Sequence, residues 1–327
     1  MIEVEDKYMA RCLQLARGGE GFVAPNPMVG AVVVHDGQII GEGYHRHFGG
    51  PHAEVNAIAS VSHPELLSDS TLYVSLEPCS HYGKTPPCAE LIIKKHIPRV
   101  VVACMDPFPQ VSGRGVEMLR NAGVEVVTGV LESEAKKLNK AFMTFQEKHR
   151  PYIILKWAQS ADGFIDKLRN EATDPKAVIS TDATRRHVHK LRTEVAAILV
   201  GTRTALLDDP SLTVRHWIGK NPVRLAVDRT LKIPENYHLL DGKVPTILFT
   251  EKEGKTIPGV EYEQVDFAQP LVPQILDSLY RRKLNSLLVE GGTMLLNQFI
   301  EMHLWDEARV ETGKMKLGRG VKAPKII

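Results

Sequence analysis

His52-Ala53-Glu54, followed by Glu77-Pro78-Cys79-Ser80-His81-Tyr82-Gly83-Lys84-Thr85-Pro86-Pro87-Cys88, is the stretch that decides how this chain folds. One imidazole and two thiols are suitable ligands for a tetrahedral zinc ion, and three protein ligands leave the fourth position open for water. Zinc brings the pKa of that water towards neutrality, so hydroxide is available without a strong base. Glu54 stands two residues from His52, on the first turn of the same expected helix, within reach of that water as a proton carrier. The expected ligands are therefore His52, Cys79 and Cys88, with Glu54 as the catalytic carboxylate. Taken singly, a histidine or buried cysteine is an ordinary core residue. The order and the two local contexts together carry the assignment. A purely structural zinc site normally has four protein ligands, and His45, His47 and His81 are nearby candidates for a fourth.

Zinc-dependent base deaminases pair H-x-E with a downstream P-C and a second cysteine. Here eight residues separate the cysteines rather than two. Both still reach one metal if the segment between them loops out and Cys88 opens the next helix, a start that Pro86 and Pro87 favour. Such a loop lies at the mouth of the site and presents His81 and Lys84 to a ligand. A lysine there suits a phosphate as a point charge, although an exposed lysine needs no ligand at all.

Outward from this stretch, helix and strand signals alternate. Residues 6–16 form an amphipathic helix by spacing, and strands at 30–34 and 39–44 flank the hairpin dipeptide Asp36-Gly37. Helix signals follow at 54–60, 89–95 and 117–122, and strand signals at 71–75, 99–104 and 125–127. A single helix is expected from Leu131 to Gln146. At 327 residues the chain is long for one core, and the polar run Glu147-Lys148-His149-Arg150-Pro151 is the best boundary, giving domains 1–148 and 149–327. Beyond it, strands are expected at 152–157, 196–200, 223–227, 246–249 and 286–289, with helices at 182–190, 271–281 and 293–301. This alternation defines an α/β chain.

The second half has no G-x-G-x-x-G after a strand, so a Rossmann dinucleotide site has no support. Glu290-Gly291-Gly292-Thr293 instead lies between a strand and a helix, where backbone N–H groups can approach an anion; a plain strand-to-helix turn reads equally well. Asp208-Asp209-Pro210 and Ser211 to Arg215 put acids and bases in an expected loop.

Composition narrows the function classes. A hydrophobic share of 43% and a charged share of 24% describe a globular enzyme, and a net charge of +2 without a dense basic patch argues against a nucleic-acid partner. The cluster from Arg185 to Arg192 reads as a solvated helix face. No apolar run reaches membrane-spanning length. Four cysteines and an acidic N-terminus without a signal-like apolar core suggest reduced thiols and a cytoplasmic protein.

Several segments closely resemble the bifunctional riboflavin-biosynthesis deaminase/reductase family: Pro25-Asn26-Pro27-Met28-Val29-Gly30, Gly41-Glu42-Gly43-Tyr44-His45, the two metal segments with their long cysteine spacing, Asp106-Pro107 and Gly113-Arg114-Gly115. The resemblance implies a cytidine-deaminase-like three-layer α/β/α domain followed by a dihydrofolate-reductase-like α/β domain. It implies zinc-dependent deamination of 2,5-diamino-6-ribosylamino-4(3H)-pyrimidinone 5′-phosphate, then NADPH-dependent reduction of the ribosyl to a ribityl chain, in a homo-oligomer. In such a family Asn26 and His45 would contact the ring and Lys84 would face the phosphate, with His81 presented to the same substrate from the loop. In the second half, the stretches 156–163, 200–215, 222–228 and 289–293 carry the likeness. By it Thr204, Asp208, Gly292 and Thr293 would hold the dinucleotide, and Arg192, Leu212, Arg215 and Glu290 the substrate, the two arginines suiting its phosphate. Two segments depart from the family pattern: Ala161 stands where a leucine precedes the Asp-Gly pair, and Val178-Ile179-Ser180 replaces a W-I-T segment. The chain also stops soon after Lys322-Ala323-Pro324-Lys325, where relatives continue through a final strand or two. A deaminase with a degraded reductase half, a non-catalytic zinc and nucleotide-binding module, and a tRNA or nucleoside deaminase stay open at this point.

Overall fold

The computed structural model describes residues 2–82, 86–108 and 112–326, and the chain divides into two compact units, Met1–His149 and Arg150–Ile327. In the first, helix α1 (Ile2–Ala16) buries Met9, Cys12, Leu13 and Ala16, a stripe at helical spacing. Asp36 and Gly37, both at positive φ, turn β1 (Gly30–His35) back into β2 (Gln38–Tyr44). There follow α2 (Ala53–Ala59), β3 (Thr71–Val74), α3 (Cys88–Lys94), β4 (Arg99–Val102), α4 (Arg114–Asn121), β5 (Glu125–Thr128), α5 (Glu132–Leu138) and α6 (Lys140–Lys148).

The sheet order is β2-β1-β3-β4-β5, with β1 antiparallel to both neighbours and β3, β4 and β5 parallel. Strand alternation sorts the core into two layers. Ala31, Val33, Leu72, Val74, Val100 and Val102 pack with Ala53, Ala57, Ala89 and Ile92. Val32, Val34, Tyr73 and Val101 pack on the other face with Met9, Leu13, Ala135 and Phe142. The result is the expected three-layer α/β/α domain.

A Cβ on Gly43 would stand 2.3 Å from the Ala57 nitrogen and 2.7 Å from the Ala53 oxygen, so α2 lies with its backbone directly on β2. Gly43→Ala is expected to destabilise the protein by about 1–3 kcal/mol through overpacking. A urea unfolding midpoint equal to that of the wild type would contradict so close an approach.

The single helix expected over 131–146 is corrected to two. Asn139 separates α5 from α6 at φ −102°, ψ 25° and is buried. Its side-chain amide donates to the Met28 carbonyl and its oxygen accepts from the Met28 N–H, each at 2.8 Å. That reciprocal pairing, 111 residues apart, overrides a continuous helical pattern.

In the second unit the elements are β6 (Tyr152–Gln159), β7 (Phe164–Asp166), α7 (Asp182–Thr193), β8 (Ala197–Val200), α8 (Thr202–Asp208), β9 (Val223–Val227), β10 (Thr246–Thr250), β11 (Val260–Gln264), α9 (Leu271–Arg281), β12 (Ser286–Val289), α10 (Thr293–Glu301), β13 (Glu307–Thr312) and β14 (Val321–Lys322). Seven strands make one parallel sheet in the order β11-β10-β9-β8-β12-β6-β13. Its central strands are apolar on both faces, as a covered parallel sheet requires. Two strands follow α10: β13 pairs with β6, and β14 lies antiparallel to β7. Asp208, expected in a loop, is the last residue of α8. On α7, Arg185 is exposed, but His189, Leu191 and Arg192 are buried, so only part of that basic cluster is a solvated face.

Candidate functional site

In the first unit, antiparallel pairing brings the start of β1 and the ends of β2 and β3 to one edge of the sheet. Asn26, His45 and Cys79 lie in the loops there. His52 immediately precedes α2, Glu54 lies in its first turn, and Cys88 is the first residue of α3, as the two prolines favour. His52 Nδ1 is 3.6 Å from Cys79 Sγ and 3.4 Å from Cys88 Sγ, and the three ligand atoms lie within 4.8 Å of one another. Tetrahedral zinc, with Zn–S of about 2.3 Å and Zn–N of about 2.0 Å, demands an N···S edge of about 3.5 Å. The donor set therefore fits zinc in both chemistry and spacing.

The long cysteine spacing closes through the backbone: Cys88 N–H donates to Cys79 Sγ at 3.3 Å, and Ala89 N–H to the Cys79 carbonyl at 3.2 Å. Hydrogen bonding from Cys88 holds the Cys79 thiol well below its ordinary range against the opposing effect of burial, while Cys88 is pushed up. Such a dissociable thiol is what a metal ligand requires. Glu54 is 3% exposed, and burial pushes its carboxyl up to about 7, in the range that suits a group taking and giving protons near neutrality. The carboxyl also reaches the Cys88 thiol.

None of the spare histidines joins this cluster. His45 is committed at both ring nitrogens, with Nδ1 3.0 Å from the Pro51 carbonyl and Nε2 3.2 Å from the Asn26 amide nitrogen. The neutral tautomer with Nδ1–H donating to Pro51 and Nε2 accepting from Asn26 satisfies both, and burial lowers the pKa of His45 in keeping with it. His47 is exposed against the Phe48 carbonyl, and His81 is exposed with its ring 6.3 Å from that of Phe108. Lys84 lies outside the described residues.

Glu77 is a residue whose part the sequence did not disclose. Its Oε2 accepts from Asp106 N–H (3.2 Å) and Gly113 N–H (3.0 Å), and its Oε1 from Gly115 N–H (2.9 Å) and Val116 N–H (3.2 Å). The carboxylate is buried and satisfies donors at the start of α4. A Cβ on Gly115 would fall 1.9 Å from the Pro78 carbonyl, so α4 lies directly on the segment that delivers Cys79. An acid just before Pro-Cys, with Gly-x-Gly downstream, was the available clue.

The sheet of the second unit reverses its strand order at β8. From β8 the chain runs outward through β9, β10 and β11, then returns to β12 on the other side of β8. Ligands of open α/β sheets bind beyond the strand carboxyl ends at such a reversal. The loops after β8 and β12 meet there: a Cβ on Gly292 would lie 3.4 Å from Thr204 Oγ1. Gly291 and Gly292 have φ of 148° and 71°, a path open to glycine, and Thr293 Oγ1 donates to the Lys322 carbonyl. Asp208 Oδ1 accepts from Arg169 Nη2 at 2.6 Å, and Arg169, buried and also bonded to Asp166 (2.7 Å), went unnoticed in the sequence. Arg192 Nη2 donates to Glu290 Oε2 at 2.8 Å, and Leu212 is buried at φ 52° close in sequence to Arg215.

A metal-dependent base deaminase and a dinucleotide-type reductase in one chain make this a bifunctional enzyme. Residues 2–104 match the family described as the cytidine and deoxycytidylate deaminase zinc-binding region, and residues 151–324 the RibD C-terminal domain, across both segments that depart from the expected pattern. The chain belongs to the RibD family of riboflavin-biosynthesis deaminase/reductases. It is 42% identical to riboflavin biosynthesis protein RibD of Aquifex aeolicus, over 98% of this chain and 89% of that one, and 41% identical to that of Bacillus amyloliquefaciens, over 99% and 88%. The crystal structure of a diaminohydroxyphosphoribosylaminopyrimidine deaminase/5-amino-6-(5-phosphoribosylamino)uracil reductase from Thermotoga maritima superposes with a TM-score of 0.88 at 42% identity, covering 98% of this chain and 90% of that one. Acinetobacter baumannii RibD gives 0.88 at 33% identity, covering 99% and 90%. Zinc serves the first half and NADPH the second, which has the dihydrofolate-reductase-like fold. No helix among the described residues is long and apolar enough to cross a membrane.

Proposed function

We propose that the first unit hydrolyses the 2-amino group of 2,5-diamino-6-ribosylamino-4(3H)-pyrimidinone 5′-phosphate, and that the second reduces the ribosyl group of the product with NADPH. His52, Cys79 and Cys88 hold zinc, which when bound acts as a Lewis acid and supplies hydroxide near neutral pH. Glu54 carries one proton of the attacking water to the ring nitrogen, then takes the second from the new hydroxyl and gives it to the amino group, which leaves as ammonia as the carbonyl forms. The Asn26–His45 pair contacts the ring, His81 takes part in binding the same substrate, and the phosphate is assigned to Lys84. In the second unit Thr204, Asp208, Gly292 and Thr293 hold the dinucleotide, while Arg192, Leu212, Arg215 and Glu290 form the substrate side. Hydride goes to ribosyl C1′, and the ring oxygen leaves as the hydroxyl of the opened ribityl chain, taking a proton.

The observation that carries this proposal is the metal-ready His52, Cys79 and Cys88 triad with a buried carboxylate two residues from its histidine. The four thiols are all free, which suits a reducing, cytoplasmic setting. We read the enzyme as a homo-oligomer acting on small molecules and not on nucleic acid. The test is mass spectrometry of the diaminopyrimidine phosphate after incubation with zinc-loaded protein. Exchange of one amine for oxygen without NADPH, and addition of two hydrogens with it, is the expected result. Deamination alone would refute the reductase step, and no change would refute the substrate.

A further inference from the structure

Near the C-terminal end of α7, two side chains fasten the segment that carries Arg215. His189 is 5% exposed, and its Nδ1 accepts from the Arg215 N–H at 2.9 Å while its ring meets His216 edge-on with centroids 4.7 Å apart. Three residues on, Arg192 Nη1 donates to the Thr213 carbonyl at 2.9 Å, and its Nε and Nη2 donate to Glu290 at 3.3 and 2.8 Å. Each nitrogen of the Arg192 guanidinium thus has one acceptor within the protein, and the side chains of its ion pair with Glu290 are 11% and 10% exposed. The Arg215 side chain is placed differently. It is exposed, and its guanidinium makes a 3.3 Å contact to Thr213 Oγ1.

We propose that His189 is a positioning residue of the reductase: by holding the Arg215 amide it aims the Arg215 guanidinium at the substrate phosphate, while Arg192 braces the same segment at the Thr213 carbonyl. This rests on the reading that the second unit takes a phosphorylated substrate beside Arg215. The chemistry of the anchor is specific. Accepting a backbone N–H needs a lone pair on Nδ1, hence a neutral ring. Burial, together with the positive charges of Arg192 and Arg215, lowers the His189 pKa to about 4, so the acceptor is available throughout the neutral range. The left-handed backbone of Leu212, which any β-carbon resists, is held by the same pair of braces on its C-terminal side.

The test uses the full-length zinc-loaded enzyme at saturating NADPH, with the deaminated pyrimidine ribose phosphate and its dephosphorylated counterpart as substrates. His189→Phe keeps the ring volume without an acceptor, and His189→Asn places a carbonyl oxygen near the Nδ1 position. His189→Phe is expected to raise KM for the phosphorylated substrate about tenfold, the equivalent of one good hydrogen bond, with kcat little altered. Kinetics on the dephosphorylated substrate should not move, and His189→Asn should restore most of the affinity. Should the phenylalanine variant fail to fold, His189→Leu serves the same purpose. A loss confined to kcat, an equal loss on both substrates, or a wild-type KM would overturn the positioning role. Arg215→Gln separates the two levels: it should abolish the preference for the phosphorylated substrate, and a preserved preference would overturn the phosphate reading itself.

Discussion

Glu54→Gln is expected to keep its zinc and to lose deamination by about 10²–10⁴-fold. Glutamine preserves the shape of the buried side chain and can still offer a hydrogen bond, but it cannot take a proton and return it. The three donor atoms come from His52, Cys79 and Cys88 alone, so the change removes no ligand. Metal content by elemental analysis and turnover by product mass are the two readouts. Zinc retained with turnover intact would sink the assignment of Glu54, and zinc lost would mean that the carboxylate helps to build the metal site. Reduction of the pre-deaminated substrate serves as the folding control for the second unit.

The second large effect is expected at Glu77. Four backbone N–H groups converge on its carboxylate, and truncation leaves them without that acceptor inside the fold. A buried unsatisfied donor costs about 1–3 kcal/mol, and part of this returns if water enters the space. Glu77→Ala should therefore destabilise the protein by about 3–5 kcal/mol, read as a fall in the unfolding midpoint. Glu77→Gln retains one acceptor oxygen and should cost roughly half as much by the same reasoning. Because α4 rests on the Pro78 carbonyl through Gly115, zinc affinity should fall along with stability in both variants. Equal midpoints for the alanine and glutamine variants would show that hydrogen bonding is not what the carboxylate contributes.

The metal triad was legible in the sequence because zinc dictates residue types independently of the fold around them. The strands buried on both faces, such as Ala197–Val200 and Ser286–Val289, were legible for a similar reason: continuous apolar runs have few other uses. What escaped notice depends on partners distant in the chain. Asn139 breaks a helix in order to bond Met28, and no glycine or proline announces it. Strand β13 ends up at the sheet edge, where Glu307, Arg309 and Glu311 are as acceptable as apolar residues, so its pattern carried little signal. Arg169 and His189 read as parts of polar segments, and only the fold shows that each is buried against a residue tens of positions away. The two arginines that the sequence suited to a phosphate differ in setting in a way the sequence did not disclose: Arg192 bonds Glu290 and Thr213, and Arg215 is exposed.

The clamp between Asn139 and Met28 bears on how the deaminating half could be expressed by itself. A gene fragment ending after the last strand of its sheet, at Thr128, would keep every metal ligand and Glu54. It would nonetheless release the backbone at Met28, two residues from Asn26, and strip Ala135, Phe142 and Met143 from one face of the sheet. The shortest sensible clone therefore runs through Lys148, and the chain beyond the sheet belongs to the catalytic domain rather than to a linker.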